Sequence, residues 1–272
     1  MRVAVGQLRV GPDPQVNAAA CIELISKASD AGVHLLVLPE AVLARLDADQ
    51  HLIAGLAQPL DGQFVGSLLE YTMGREITVI FGIHQTGTPA RAYNTVLAIR
   101  AGQILAEYRK LHLYDAFRYR ESDNVLPGDQ LPPVFQCHGW RVGIMTCYDV
   151  RFPEVARLLA EQGAELIVIP AAWARGPEKE RHWELMVAAR ALENTCFVAA
   201  ADECSPANIG QSMIVDPLAT VLARLGHQPG IAEVDIDQQH LVAARRTLPV
   251  LSNRRFRIDR AIVGLGEHQS EQ

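Results

Sequence analysis

A four-layer α/β sandwich, helix–sheet–sheet–helix, is the fold this sequence predicts, and two observations carry the prediction. The first is an internal repeat. Arg2-Val-Ala-Val5 returns as Arg141-Val-Gly-Ile144, and Leu35-Leu-Val-Leu-Pro39 returns as Leu166-Ile-Val-Ile-Pro170. Each half therefore reads strand, helix, glycine, buried strand, proline. The second is the continuous apolar character of the latter strand in each half, which marks burial on both faces. Two such halves, each with its own helix layer, fit two sheets packed face to face with helices outside. A Rossmann-like sheet is set aside because no G-x-G-x-x-G follows the first strand, where only Gly6-Gln7 stands.

Taken in order, Arg2–Leu8 alternates as a strand. Asp13-Pro14 supplies a cap and a first-turn proline for a helix to about Ala31, which Gly32 ends. Val33–Leu38 is the buried strand, with His34 read as a hydrogen-bonded core histidine, and it closes at Pro39-Glu40. A second helix is expected near Gly62–Arg75, then strands over Ile77–His84, Tyr93–Arg100 and Gln103–Lys110. Ala101-Gly102 joins the last two as a hairpin. The polar segment Leu111–Pro133 is too long for a mere connector and reads as functional. In the second half Val142–Thr146 reads as a strand. The helix opened by Pro153 ends at Gly163, and another covers about Lys179–Glu193. Strands follow near Cys196–Ala201, Gln211–Val215, Thr220–Ala223 and Ile231–Val234, with a turn at Asp216-Pro217. The last dozen or so residues are polar and read as frayed.

Composition narrows the partners. A chain of 272 residues, 49% hydrophobic and 21% charged, has the makeup of a soluble globular protein able to bury a sizeable core. A formal charge of -6 and the lack of a long basic run argue against nucleic acid. No apolar run approaches membrane-spanning length, and the opening Met-Arg-Val-Ala-Val-Gly reads as a strand rather than a signal peptide. Cys21, Cys137, Cys147, Cys196 and Cys204 are scattered and never spaced C-x-x-C. That pattern points to reduced thiols in the cytoplasm, away from disulfides or a zinc site.

The chemistry is expected beyond the carboxyl ends of strands, where α/β sheets gather working groups. Glu40, Lys110 and Cys147 occupy such ends. Singly, each admits a plain reading: a turn carboxylate, an exposed lysine, a small buried thiol. Together they form a set. A carboxylate takes the thiol proton, the thiolate attacks a carbonyl carbon, and an ammonium holds the developing oxyanion. The strand-to-helix corner at Cys147 brings unpaired backbone N–H groups and a positive helix end, which predicts a stabilised thiolate. His138 and His182 are the histidines nearest Cys147 in sequence, and neither closes an obvious strand, so a Cys–His pair is less attractive.

Leu38-Pro-Glu40, Tyr108-Arg-Lys-Leu-His-Leu113 and Cys147-Tyr-Asp-Val-Arg-Phe-Pro-Glu154 resemble the three signature blocks of the nitrilase (carbon–nitrogen hydrolase) superfamily. The resemblance spans residues 1–256 in effect, leaving 257–272 as a polar C-terminal tail. It implies a nitrilase-like sandwich with an internal pseudo-twofold axis and a Glu40–Lys110–Cys147 triad. It also implies a second glutamate, Glu121, placing substrate or water, with the Tyr148 backbone N–H beside Lys110 at the oxyanion. No metal or organic cofactor is implied, and a homodimer paired through helix layers is. Lys110–Phe117, Met145–Asp149, Ala171–Pro177 with Lys179-Glu180 and His182-Trp183, and Asn208–Ser212 look like the branch of deaminated glutathione amidases. Amidases acting on α-ketoglutaramate are the alternative, and a non-catalytic binder on the same scaffold is a further one. An acidic small-molecule amide as substrate calls for cations in the pocket. Arg175 is expected to hold the carboxylate beside the keto group with two-pronged geometry. Tyr114 and Trp173 are candidates to wall the pocket, although aromatic residues beside strands more often belong to the core. His182-Trp183 reads as an anchor for the helix start.

Overall fold

Each strand turns successive side chains to opposite faces, and here the two faces meet two different apolar layers. The structure, a computed structural model, describes residues 1–45, 52–258 and 260–262. In the first half β1 (Arg2–Gln7) leads to α1 (Pro14–Asp30), β2 (Leu35–Val37), the single turn α2 (Ile53–Leu56) and α3 (Gln63–Thr72). Strands β3 (Thr78–Gln85), β4 (Ala92–Arg100) and β5 (Gln103–Arg109) follow, then the short β6 (Asp115–Ala116), β7 (Tyr119–Arg120) and β8 (Val125–Leu126). The second half runs β9 (Val134–Cys137), β10 (Trp140–Ile144), α4 (Pro153–Glu161), β11 (Leu166–Ala171) and α5 (Lys179–Asn194). It ends with β12 (Phe197–Asp202), β13 (Met213–Val215), β14 (Val221–Arg224), β15 (Gly230–Asp235) and α6 (Gln238–Thr247).

Two sheets result. One has the order β15-β1-β2-β3-β4-β5, with β8 added beside β4; the other has the order β14-β13-β12-β11-β10-β9. In the first, β1, β2 and β3 are parallel and β4 returns antiparallel. In the second, β10, β11 and β12 are parallel and β13 returns antiparallel. The sequence repeat is thus a repeat of topology. Between the sheets, Val3, Val5, Leu35, Val37 and Ile80 share one cluster with Val142, Ile144, Leu166, Val168 and Phe197. Their strand neighbours face outward: Ala4, Leu36 and Phe81 pack with Cys21, Ile25 and Leu68 of α1 and α3. Ile167, Ile169 and Val198 pack with Val155, Leu159 and Val187 of α4 and α5. The four-layer sandwich follows from this alternation.

Local chemistry sets the ends of elements much as the sequence predicts. Asp13 accepts the Gln15 N–H at 2.8 Å, Pro14 opens α1, and Gly32 leaves the helix at a left-handed φ of 72°. Ala101 and Gly102 both take positive φ, the geometry of a tight hairpin between β4 and β5. Other expectations are corrected. His34 is exposed rather than core: it precedes the short β2, and its Nδ1 accepts the Arg2 N–H at 3.0 Å. β9 and α6 add to the expected elements, and the strand at Ile231–Val234 leaves the second half to pair antiparallel with β1. Of the expected tail, residues 259 and 263–272 lie outside the described residues. No helix among the described residues is long and apolar enough to cross a membrane.

Phe197 shows how far the two sheets depend on contact. It is 1% exposed in the apolar cluster that both sheets share, and Trp140 of its own sheet meets it edge to face at 5.8 Å between ring centres. Phe197→Ala is expected to cost about 3–5 kcal/mol of stability, read from the urea midpoint; a loss below about 1 kcal/mol would contradict close packing between the sheets.

Candidate active site

Three strand ends converge, and each is fixed by backbone bonds. Glu40 lies just past β2 in a turn strapped to β3. Leu38 N–H donates to Ile80 O at 2.7 Å, Gly82 N–H to Pro39 O at 3.0 Å, and Val42 N–H to Gly82 O at 2.8 Å. A Cβ at Gly82 would stand 2.7 Å from Glu40 Cα, so the close approach of turn and strand requires glycine. Lys110 follows β5, its N–H donating to Asn94 O and its carbonyl accepting Gly128 N–H, both at 2.8 Å. Cys147 follows β10 and opens a 3₁₀ turn over Cys147–Arg151, at a left-handed φ of 41° that non-glycine residues seldom adopt.

Buried Asp149 ties this turn to the lysine. It accepts the Thr146 N–H and the Tyr108 hydroxyl, each at 2.9 Å, and the His112 N–H at 3.3 Å, with His112 Nδ1 at 2.7 Å. Tyr108 and His112 flank Lys110, so one carboxylate sets two of the three strand ends against each other.

The charged groups then meet. Lys110 Nζ lies 2.8 Å from Glu121 Oε2 and 3.6 Å from Glu40 Oε2. Asn94 Nδ2 donates to Glu40 at 2.9 Å and to Glu121 at 3.1 Å. Ala172 N–H, beyond β11, donates to Glu40 Oε1 at 2.9 Å, and Tyr114 N–H to Glu121 Oε2 at 2.6 Å. Cys147 borders the same space as Glu40, and its thiol feels the charge of that carboxylate. The side chains of Glu40, Asn94, Lys110, Glu121 and Cys147 are all buried, Lys110 to 2% exposure.

Burial disfavours every charge here, and the partners decide which survive. At Glu40 burial pushes the carboxyl up, but the Lys110 charge with the Asn94 and Ala172 hydrogen bonds outweighs it and holds the group below its usual range. At Lys110 burial pulls down, and Glu121 and Glu40 together carry the amine well above its ordinary value. At Cys147 burial and the Glu40 carboxylate push the thiol well up, against the opposing pull of Lys110. The resting site is therefore carboxylate, ammonium and neutral thiol. This corrects the expectation of a stabilised thiolate: at this corner the nearby negative charge and lost water exceed the effect of the backbone N–H groups. A thiol on the same cavity wall as a carboxylate and an ammonium has the parts for proton removal, nucleophilic attack and oxyanion binding.

A cavity of about 330 Å³ opens over the cluster, and Tyr114, Tyr148, Trp173 and Arg175 all line it with Glu40, Lys110, Glu121 and Cys147. Every site residue expected from the sequence thus borders one space. Arg175 comes with partners of its own: Nη2 donates to Asn208 O at 2.7 Å, Nε to Pro206 O at 3.3 Å, and Nη1 stands 3.8 Å from Glu180. Trp183 anchors α5 as expected, its Nε1 donating to Gln211 O at 3.0 Å. Sequence reasoning missed Asn94, Gly82 and the Ala172 N–H. Asn94 carried a signal, being an amide in the middle of an apolar strand, where asparagine is disfavoured. Ala172 acts through its backbone and carried none. Among the described residues no cluster of three or more His, Cys, Asp or Glu side chains could hold a metal ion.

Residues 2–246 match the family model described as carbon-nitrogen hydrolase. The chain belongs to that family. The hydrolase is 46% identical to the deaminated glutathione amidase of Escherichia coli O157:H7, over 94% of this chain and 98% of that protein. It is 37% identical to the deaminated glutathione amidase of Homo sapiens, over 93% of this chain and 82% of that protein. Among solved structures, a mutant of the amidase from Nesterenkonia sp. AN1 carries the acetamide moiety of fluoroacetamide covalently added at its active-site cysteine. It matches with a TM-score of 0.81 and 28% identity, over 94% of each chain.

The ionisation of Glu40 in this hydrolase can be read directly by ¹³C NMR of its carboxyl carbon. A group held below its ordinary 4.5 stays ionised as pH falls through that value and takes up its proton only at lower pH. Asn94→Ala removes a hydrogen bond to the ionised form and should move the midpoint upward. A wild-type midpoint above 4.5 would contradict the charge balance described.

Proposed function

We propose that this hydrolase is an amidase that cleaves the amide of deaminated glutathione, giving 2-oxoglutarate and cysteinylglycine, as a metabolite-repair enzyme. The observation that carries the chemistry is the Cys147 thiol sharing one cavity with an ionised Glu40, while the Lys110 ammonium stands between Glu40 and Glu121. The substrate rests on the 46% identity to the bacterial deaminated glutathione amidase and on the Trp173-Ala-Arg-Gly-Pro177 loop.

Glu40 takes the thiol proton as Sγ bonds to the amide carbon. The tetrahedral oxyanion is held by the Lys110 ammonium and the Tyr148 backbone N–H, which lies in the first turn of a 3₁₀ helix where such donors lack helical acceptors. Losing one donor of this kind typically costs about 10²–10³ in rate. Protonated Glu40 then gives its proton to the departing amine of cysteinylglycine, the C–N bond breaks, and a thioester remains on Cys147. Water next loses a proton to Glu40 and attacks the thioester. 2-Oxoglutarate leaves, and the sulfur regains the proton from Glu40. Glu121 positions the Lys110 ammonium throughout, and Tyr114 and Trp173 exclude solvent.

The reading extends to a cytoplasmic homodimer joined through helix layers, supported by exposed Leu185 and Leu192 on α5 and Val242 on α6 and by five free thiols. A monomer in sedimentation equilibrium at micromolar protein would end the dimer part.

Cys147→Ala should abolish amide turnover while leaving the thermal midpoint near that of the parent, and Lys110→Arg should lose at least about 100-fold because the guanidinium fork moves the donors. Intact-mass spectrometry should catch the acyl group on Cys147. Turnover of deaminated glutathione should exceed that of α-ketoglutaramate in kcat/KM; the opposite order would reassign the substrate, and residual wild-type rate in Cys147→Ala would sink the mechanism.

A further inference from the structure

The cavity contains a second ammonium that this chemistry does not use. Lys179, the first residue of α5, lines the same space as Cys147 and is only 5% exposed. Its Nζ donates to the Tyr114 hydroxyl at 2.7 Å and lies 3.8 Å from the centre of the Phe117 ring and 5.0 Å from that of Tyr114. Trp173 closes the cage at 5.6 Å. Among the described residues no carboxylate forms an ion pair with it.

A second cation stands behind the cage. Arg151 lies 4.7 Å over the Trp173 ring, and its Nε and Nη2 are buried and hydrogen-bonded to nothing among the described residues. Burial, and after it the Arg151 charge, draw the Lys179 amine below its ordinary value. Two like charges with unfilled donors, screened from water by rings, are unfavourable in the empty protein and are relieved when an anion arrives. Arg175, the residue expected from the sequence to meet that anion, is already engaged with the Pro206 and Asn208 carbonyls and stands beside Glu180.

We propose that Lys179, together with the Tyr114 hydroxyl, forms the subsite for the substrate carboxylate at the end of the acyl chain remote from the scissile amide. Resting on the amidase function above, this makes Lys179 the residue that selects acidic amides over neutral ones. Tyr114 links the two ends of the site: its N–H holds Glu121 at 2.6 Å, and its hydroxyl holds Lys179 at 2.7 Å. An anion seated on Lys179 is thereby referred to the Glu121–Lys110 pair through one residue. The aromatic walls keep water from the contact, which strengthens it.

The test compares glutaramate with pentanamide, amides of equal chain length that differ in the remote charge, in the full-length wild-type protein, Lys179→Met and Lys179→Arg. The ratio of kcat/KM for glutaramate over pentanamide should fall about 10- to 100-fold in Lys179→Met, mainly through KM for glutaramate, with partial recovery in Lys179→Arg. An unchanged ratio, including one produced by equal losses on both amides, would overturn the proposal. Calorimetric binding of glutarate to Cys147→Ala, with and without Lys179→Met, gives the same comparison without turnover. A wild-type protein that hydrolyses glutaramate but ignores deaminated glutathione would refute the substrate assigned above, while the ratio would still decide the role of Lys179.

Discussion

One buried ammonium between two carboxylates is the constraint that the rest of the site answers to. Lys110 has almost no contact with solvent, and its charge survives there only because Glu121 and Glu40 both face it. Each glutamate in turn needs the lysine and the amide of Asn94, which donates to both. Removing the lysine leaves two buried carboxylates facing each other without their cation. Much backbone is committed to placing this charge cluster: the Gly82 contact at the Glu40 turn, the Asn94 and Gly128 bonds at Lys110, and Asp149 beneath the cysteine turn.

The cluster also fixes how the two sheets lie on each other. Glu40, Asn94 and Lys110 belong to the first sheet, whereas Cys147 and Ala172 come from the second. Apolar packing between sheets is non-directional and would tolerate small slides. The Ala172 N–H on Glu40 and the Tyr108 hydroxyl on Asp149 are directional and do not. Position in the sandwich is set by polar contacts at one edge, and stability by the hydrocarbon behind them.

Much of this architecture is legible in the amino-acid order. Period-two strands, the Asp13-Pro14 helix start, the Ala101-Gly102 hairpin and the proline that recurs as Pro39 and Pro170 are local signals, and local signals survive in a sequence. Glu40, Lys110 and Cys147 stand out because reactive residues at the ends of buried strands have few structural reasons to be there. What escapes is of another kind. The Ala172 N–H has no side-chain signature. The raised thiol depends on a carboxylate distant in sequence, so corner geometry alone points the wrong way. His34 sits in an apolar run and looks buried, yet the strand begins only at Leu35 and the imidazole reaches the Arg2 backbone from outside. The strand Gly230–Asp235 is visible, but its choice of sheet is not, because pairing partners are decided by the whole assembly.

That choice of sheet bears on the order in which the molecule comes together. β1 borders β15, with Arg2 opposite Asp235, and the Arg2 and Asp235 side chains bond across 233 positions of chain. Gln7 is likewise held by Ser212, at a separation of 205. During synthesis β1 precedes β15 by more than two hundred residues, and its outer edge keeps exposed N–H and C=O groups until β15, the last strand among the described residues, leaves the ribosome. Ring closure over such a span is slow. The amino-terminal half is thus born with an open flank that only the carboxyl-terminal half can seal, which makes the nascent protein, rather than the finished one, the form most exposed to misassociation.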